Sequence, residues 1–395
     1  MNKEDKLVPE IRFPEFLNKE DWKVKTIDEL CAILNNIRKP ISSGDRKKGS
    51  YPYYGASGII DYVDDFLFDE RLLLIGEDGA KWGAYENTAF LVEGKYWVNN
   101  HAHVLKPKLI NDKLLESYLV KLDLYPYITG AAPPKLTLGK LKEISVPVPE
   151  NKTEQEKIAS CISSLDKVIT AHSQKLDLLK DHKKGLMQNL FPSAGEKVPK
   201  YRFKEFENDG VWVEKILSEV ANYENGKAHE QDISENGKFV VVNSKFISTD
   251  AEVVKYSNKA YCLAEKGDVL MVLSDVPNGR AIAKCFYVQE ENKFTVNQRI
   301  CKISSFNCNS LFLYYTMNRN SYFLAFDDGV KQTNLKNDDV QSFPFLIPID
   351  PKEQQKIASC LSSLDVLIYA QDEKIEQLKL HKKGLMQGLF PKIIE

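Results

Sequence analysis

At 395 residues, with 43% apolar and 10% aromatic side chains, the chain is long enough for two or more globular domains with substantial cores. Lysine plus arginine (54) nearly balances aspartate plus glutamate (56), so bulk charge points to no particular partner. Seven cysteines, an odd number without a CxxC pair, fit reduced thiols better than a disulfide framework or a zinc site, and no structural metal is expected.

The opening MNKEDKLVPE is charged where a secretory signal needs an apolar core, and no apolar run approaches the ~20 residues of a membrane span. The expectation is a cytoplasmic protein with no membrane partner. Residues 35–49, NNIRKPISSGDRKKG, form a basic loop punctuated by glycine. RLLLIG (71–76) then reads as a strand, and GEDGAKWG (76–83) as a tight exposed turn around Lys81 and Trp82. VNNHAHVL (98–105) alternates like a strand, with Asn100, Ala102 and Val104 on one face and Asn99, His101 and His103 on the other. KLLESYLVKLDL (113–124) reads as a helix. In the second half, KFVVVN (238–243) and DVLMVL (268–273) read as strands and SLFLYYTMNRNSYFLAF (310–326) as a helix.

Two stretches repeat. EQEKIASCISSLDKVITAHSQKLDLLKDHKKGLMQNLFP (154–192) matches residues 353–391 at 26 of 39 positions without a gap, and HKKGLMQ recurs letter for letter. Upstream, VPEIRFPEF (8–16) is similar to VPKYRFKEF (198–206), and Trp22 corresponds to Trp212. The chain is a tandem duplication whose paired landmarks enclose two inserts, roughly 31–130 and 221–329, that do not resemble each other in sequence. The duplicated stretches carry apolar residues at helical spacing: Ile158, Ile162, Leu165 and Ile169, then Leu176, Leu179, Leu186 and Leu190, and likewise Ile357 through Leu389. That is a coiled-coil seam, interrupted by His172, Lys183, Gln371 and Lys382, which either fix register or mark where the seam meets solvent. The expected fold class is α+β: two mixed α/β domains at 1–150 and 193–349, alternating with long helices at 151–192 and 350–395 that pack as an antiparallel coiled coil in a pseudo-two-fold tandem repeat. Two unlike modules held apart by stiff helices suit a partner with two unlike features at a set spacing, such as duplex DNA with a split sequence.

The architecture resembles the specificity subunit of a Type I restriction-modification system. The resemblance spans nearly the full chain and is carried by EQ-x-KIA and SSLD at 154–159, 163–166, 353–358 and 362–365, by the entries at Trp22 to Leu30 and Trp212 to Val220, and by PYYGASGIIDYVDDFLFDERLLLIGEDGA (52–80) with YWVNNHAHVL (96–105). It implies two target-recognition domains, each reading half of a bipartite sequence in double-stranded DNA. It also implies two modification methyltransferase subunits docked on the helices, joined for cleavage by restriction-translocase subunits. This chain would then hold no cofactor, and S-adenosylmethionine, ATP and Mg would be bound by the partner subunits.

Reading bases needs side chains that reach base edges, and holding the backbone needs cations and amides. In the first half the candidates are Arg38, Lys39, Arg46, Lys47, Lys48, Lys81, Asn99, His101 and Lys135; in the second, Lys227, Asn243, Lys245, Arg280, Asn297, Arg299, Lys331, Gln332 and Thr333. TGAAPPKL (129–136) aligns with DGVKQTNL (328–335), a loop that either contacts DNA or closes the domain. A catalytic reading finds no GxxxxGK[ST] loop, no GxGxxG after a strand and no [DN]PP[YF] tetrad. Asp78 with Glu93-Gly94-Lys95 mimics a metal-dependent nuclease triplet, and a non-catalytic scaffold binding proteins is the other rival.

Overall fold

The structure is a computed structural model that describes residues 7–277 and 279–393. The chain folds as two compact units, one made of residues up to 176 together with those from 371 onward, the other of residues 177–370.

Unit 1 carries ten strands: β1 (Lys23–Thr26), β2 (Cys31–Ile33), β3 (Lys48–Gly55), β4 (Gly58–Val63), β5 (Phe68–Asp69), β6 (Leu72–Gly76), β7 (Ala89–Val92), β8 (Lys95–Val98), β9 (Ala102–Pro107) and β10 (Ser145–Val148). They form sheets ordered β2-β9-β6-β7 and β4-β3-β8-β5, plus the pair β1-β10. β6 explains the layering. Its apolar run is buried on both faces, with Leu73 and Ile75 in the core beneath helix Asp112–Lys121 and Leu72 and Leu74 against Phe68, Tyr96 and Val98 of the second sheet.

Unit 2 carries β11 (Val213–Ile216), β12 (Ala221–Asn225), β13 (Phe239–Val242), β14 (Tyr256–Ser257), β15 (Leu263–Ala264), β16 (Val269–Val272), β17 (Ser274–Asp275), β18 (Cys285–Tyr287), β19 (Phe294–Val296), β20 (Ile300–Ser305), β21 (Thr333–Asn334) and β22 (Pro344–Ile347). Its sheets run β12-β20-β16-β18 and β14-β13-β19-β15, with the pairs β11-β22 and β17-β21. Apart from β17-β21, which unit 1 has only as the isolated bridge Asp78 to Lys135, this is the strand order of unit 1, down to one parallel pair in each second sheet, β3 with β8 and β13 with β19. β16 repeats the two-faced burial, with Val269 and Met271 in one core and Leu270 and Val272 in the other. The inserts differ in sequence yet share a topology, a likeness that letter matching does not expose.

The long helices are Lys152–Leu190 and Pro351–Leu389. Each unit contains the first part of one and the last part of the other, and within each unit these segments run antiparallel. In unit 1, Gln371 donates to Nδ1 and the carbonyl of His172 at 2.7 and 2.8 Å, and Lys382 pairs with Asp166. In unit 2, Lys183 pairs with Asp365. The polar residues in the seam are therefore bonded across it.

The start of each long helix is anchored by the same buried cluster. Arg12 meets Glu154 at 2.7 and 2.9 Å while Trp22 Nε1 donates to Glu154 at 3.3 Å; Arg202 meets Glu353 at 2.8 and 2.7 Å with Trp212 at 3.4 Å. Glu154 and Glu353 are each 1% exposed, so the repeated EQ is more than an acidic first turn. The glutamine binds too: Gln155 bridges the Pro149 carbonyl and the Asn111 amide, as Gln354 bridges Pro348 and Asn309. The recurrent HKKGLMQ supplies each helix end. Phe390 sets its ring edge-on to Trp22 at 6.3 Å, and Phe191 does so to Trp212 at 6.1 Å. Backbone bonds repeat as well, Ile11 N to Gly388 O and Tyr201 N to Asn189 O, both at 2.9 Å.

Three local expectations change. Residues 98–105 are not one strand: β8 ends at Val98, a turn occupies 99–101, and β9 begins at Ala102. The helix expected over 310–326 breaks into Ser310–Met317 and Ser321–Leu324, because Arg319 takes φ +56° and Asn320 caps the second piece. Trp82, expected in an exposed turn, is 4% exposed, whereas neighbouring Lys81 is solvent-facing.

Candidate functional site

The turn between β8 and β9, Asn99-Asn100-His101, and the turn between β19 and β20, Asn297-Gln298-Arg299, occupy the same place on the shared topology. Asn99 N donates to Tyr54 O at 3.1 Å as Asn297 N does to Val242 O at 3.0 Å. Lys39 N binds Val98 O at 3.1 Å as Lys227 N binds Val296 O at 2.9 Å, and the carbonyls of His101 and Arg299 accept from Glu77 N and Leu273 N. Beside each turn lies a cavity, about 530 Å³ in unit 1 and about 650 Å³ in unit 2. Gly55 at the end of β3, with Ala56 and Ser57 after it, lines the first; Asn243, Ser244 and Lys245 after β13 line the second. One concave site has been built twice with different side chains.

In unit 1 the charges neutralise one another. Asp78 accepts from His101 Nδ1 and pairs with Lys135 Nζ at 2.8 Å. Burial pushes the Asp78 carboxyl up, but its bonds to Lys135 and His101 outweigh that and hold it below its ordinary value. The Asp78 hydrogen bond raises Lys135 in turn. Asn99, 3% exposed, accepts from His101 N at 2.8 Å and fixes the turn rather than offering its amide freely. Arg38 is no free contact either: it pairs with Glu77 at 2.7 Å and donates to the Ala102 carbonyl at 2.7 Å, bracing the same turn from within. Arg46 pairs with Asp61 at 3.2 Å and lies over the Tyr53 ring. Lys39, Lys47 and Lys48 remain exposed, without ion pairs to the described residues, and Lys81 reaches Glu86 only at 3.8 Å.

Unit 2 is the opposite. Lys245, Lys255 and Arg299 are exposed at the cavity and their side chains make no hydrogen bond or ion pair with the described residues; the same holds for the Asn297 amide. Asn243 lines the cavity while its Oδ1 caps the short helix Ser244–Ser248 through Phe246 N at 2.9 Å. The loop carrying Lys227 passes so close that a Cβ on Gly226 would sit 2.1 Å from the Asn297 carbonyl, so only glycine fits. His229, buried, pins that loop, its ring nitrogens facing the Lys227 carbonyl at 2.6 Å and Thr295 Oγ1 at 2.9 Å. Sequence reasoning named Asn243, Lys245, Asn297 and Arg299, which line this cavity from two separate stretches, and Lys227, which lines a neighbouring one; it did not single out His229 or Lys255.

The recurrent loop closes each domain: Leu136 N donates to Glu77 O and Leu335 N to Leu273 O, both at 2.8 Å. Lys331 is exposed, Gln332 binds Ser274 Oγ at 2.7 Å, and Thr333 is buried and offers no surface. Arg280 is exposed in the loop after Asp275. The nuclease-like triplet does not assemble: Asp78 is engaged as above, Glu93 faces Arg71, and Lys95 lies over Phe66. His101 and His103 also part company, since buried His103 binds Asn35 and the Leu136 carbonyl. Among the described residues no helix is long and apolar enough to cross a membrane.

Two stretches, 19–181 and 210–380, match the family model described as Type I restriction modification DNA specificity domain. A Haemophilus influenzae protein carrying the provisional name type I restriction enzyme specificity subunit S.HindORF215P is 28% identical over 353 residues, covering 88% of each chain. The crystal structure of a Type I restriction-modification S subunit from M. genitalium is similar with a TM-score of 0.67 at 17% identity, over 98% of this chain and all of that one. A chain from work on complex assembly and conformational transition of the type I R-M system is similar with a TM-score of 0.50 at 14% identity, over 94% and 98% of the two chains.

Proposed function

This chain belongs to the Type I restriction-modification DNA specificity family, and from that premise we propose that it reads a bipartite sequence in double-stranded DNA, one half with each cavity, as a non-catalytic recognition subunit. The observation that supports this most is the doubled site: two concave surfaces on one topology, lined differently, are what reading two unlike half-sites requires. The free cations of unit 2 suit a polyanion. The two long helices serve in this reading as an antiparallel coiled-coil ruler, at 1.5 Å per residue, that sets the unread gap. Two modification methyltransferase subunits dock on the helices and restriction-translocase subunits join for cleavage, in the cytoplasm. S-adenosylmethionine, ATP and Mg belong to those partners and not to this chain.

The deciding experiment maps methylated adenine in a host genome with and without this gene, the modification subunit present. Loss of one split motif is the expected result, and an unchanged map sinks the proposal. Binding of duplex DNA that is insensitive to salt would favour a protein scaffold instead. Lengthening both long helices by four residues, after Lys175 and after Lys374, adds about 6 Å and should change the gap while leaving both half-sites intact.

A further inference from the structure

We infer that Arg299 reads a guanine in the half-site of unit 2, an assignment that rests on the DNA-reading function proposed above. The backbone on both sides of Arg299 is immobilised: its carbonyl accepts from Leu273 N at 2.9 Å, Ile300 N bonds back to Asn297 O at 2.9 Å, and Asn297 N is tied to Val242 O. The guanidinium itself has no bond to the described residues, so a rigid mount carries an uncommitted fork at the cavity mouth. Lys245 and Lys255 stand nearby as point charges able to meet phosphates without help from Arg299. A planar guanidinium can donate twice to O6 and N7 of guanine in the major groove, which an ammonium cannot do in the same geometry. The position is also where the two units part: unit 1 places His101 there and ties it to Asp78, so the same mount presents different chemistry to each half-site.

The test uses the full chain assembled with its modification subunits and a library of duplexes randomised through both half-sites. The wild-type complex should require a G·C pair at one position of the half-site read by unit 2. Arg299→Lys and Arg299→Ala should both lose that requirement, with discrimination at that pair falling roughly 5- to 150-fold and the other half-site unchanged. An unchanged other half-site also shows that the variant has folded and assembled, and Arg299→Lys retains charge and stem should the alanine variant misfold. The inference is overturned if no G·C pair is required there, or if Arg299→Lys keeps wild-type discrimination. It also falls if both variants weaken methylation of all sequences alike with the salt slope reduced by about one, which is how a phosphate contact behaves, or lose it on every sequence. A wild-type complex that methylates no split sequence would instead sink the underlying function.

Discussion

Unit 1 and unit 2 share strand order, the Arg–Glu–Trp anchor and the helix-end aromatic, yet their cavities differ in electrostatic character. Asp78 binds His101 and pairs with Lys135 in one, while Lys245, Lys255 and Arg299 stay unpaired in the other. The difference separates two kinds of polar residue. Those that hold the frame are buried and bonded in the same way in both units, so they recur; those at the turns sit on a shared set of backbone bonds, and their side chains can change without disturbing the sheets beneath.

The sharpest way to break that comparison is to remove the anchor from each unit. Arg12→Ala and Arg202→Ala should each destabilise by about 3–5 kcal/mol, because a buried carboxylate is left uncompensated. Urea unfolding would measure both, and a large inequality between them would show that the anchors are not equivalent. Gly388 and Asn189 occupy one position in two settings. A Cβ on Gly388 would meet only the Ile11 side chain, which is half-exposed and can swing aside, so Gly388→Ala and Asn189→Ala should each change stability by no more than about 1 kcal/mol in the same assay.

Asp78→Asn makes the unit 1 cavity resemble that of unit 2 by releasing His101 and Lys135. Duplex binding followed between 50 and 200 mM salt should steepen by about one in log–log slope, a three- to fourfold effect over that range. No change would mean that these side chains do not face DNA. The cross-helix pairs are partly exposed, so Lys183→Met and Lys382→Met should each cost no more than about 1 kcal/mol in thermal unfolding. The smallest effect is acid sensitivity. Burial pushes Asp166 up, but Lys113 and Lys382 outweigh it and hold the carboxyl below 3.8. Its stabilising contribution is complete above the unfolded value near 4 and is lost as pH falls through the lower folded value, so wild type and Asp166→Asn should differ at neutral pH and converge as the medium is acidified past that folded value.

The helices were legible in the sequence because their apolar spacing and duplication are local signals, but whether the polar seam residues fix register or meet solvent was not, because that depends on the residue opposite each of them. Topology was not. Sheet order is written in backbone hydrogen bonds, and inserts with different side chains can make the same ones. The turn at 99–101 imitates a strand because polar residues at 99, 101 and 103 alternate; the bond from His101 N to Asn99 Oδ1 is what bends the chain, a competition that asparagine commonly wins. Arg38 looked like a surface cation since its neighbours are basic, and its partner Glu77 lies 39 residues away. The break at Asn318-Arg319-Asn320 was visible as a polar interruption in an apolar run, and the length of that run concealed it.

The joint between a domain and the end of a long helix has a consequence in time. Unit 2 receives Phe191 from the segment that immediately precedes it, but unit 1 receives Phe390 from a segment some 200 residues further on. At roughly 5–20 residues per second of synthesis, the face of Trp22 and Tyr118 waits about 10–40 s for the aromatic ring that covers it. The half that leaves the ribosome first is the half that finishes last.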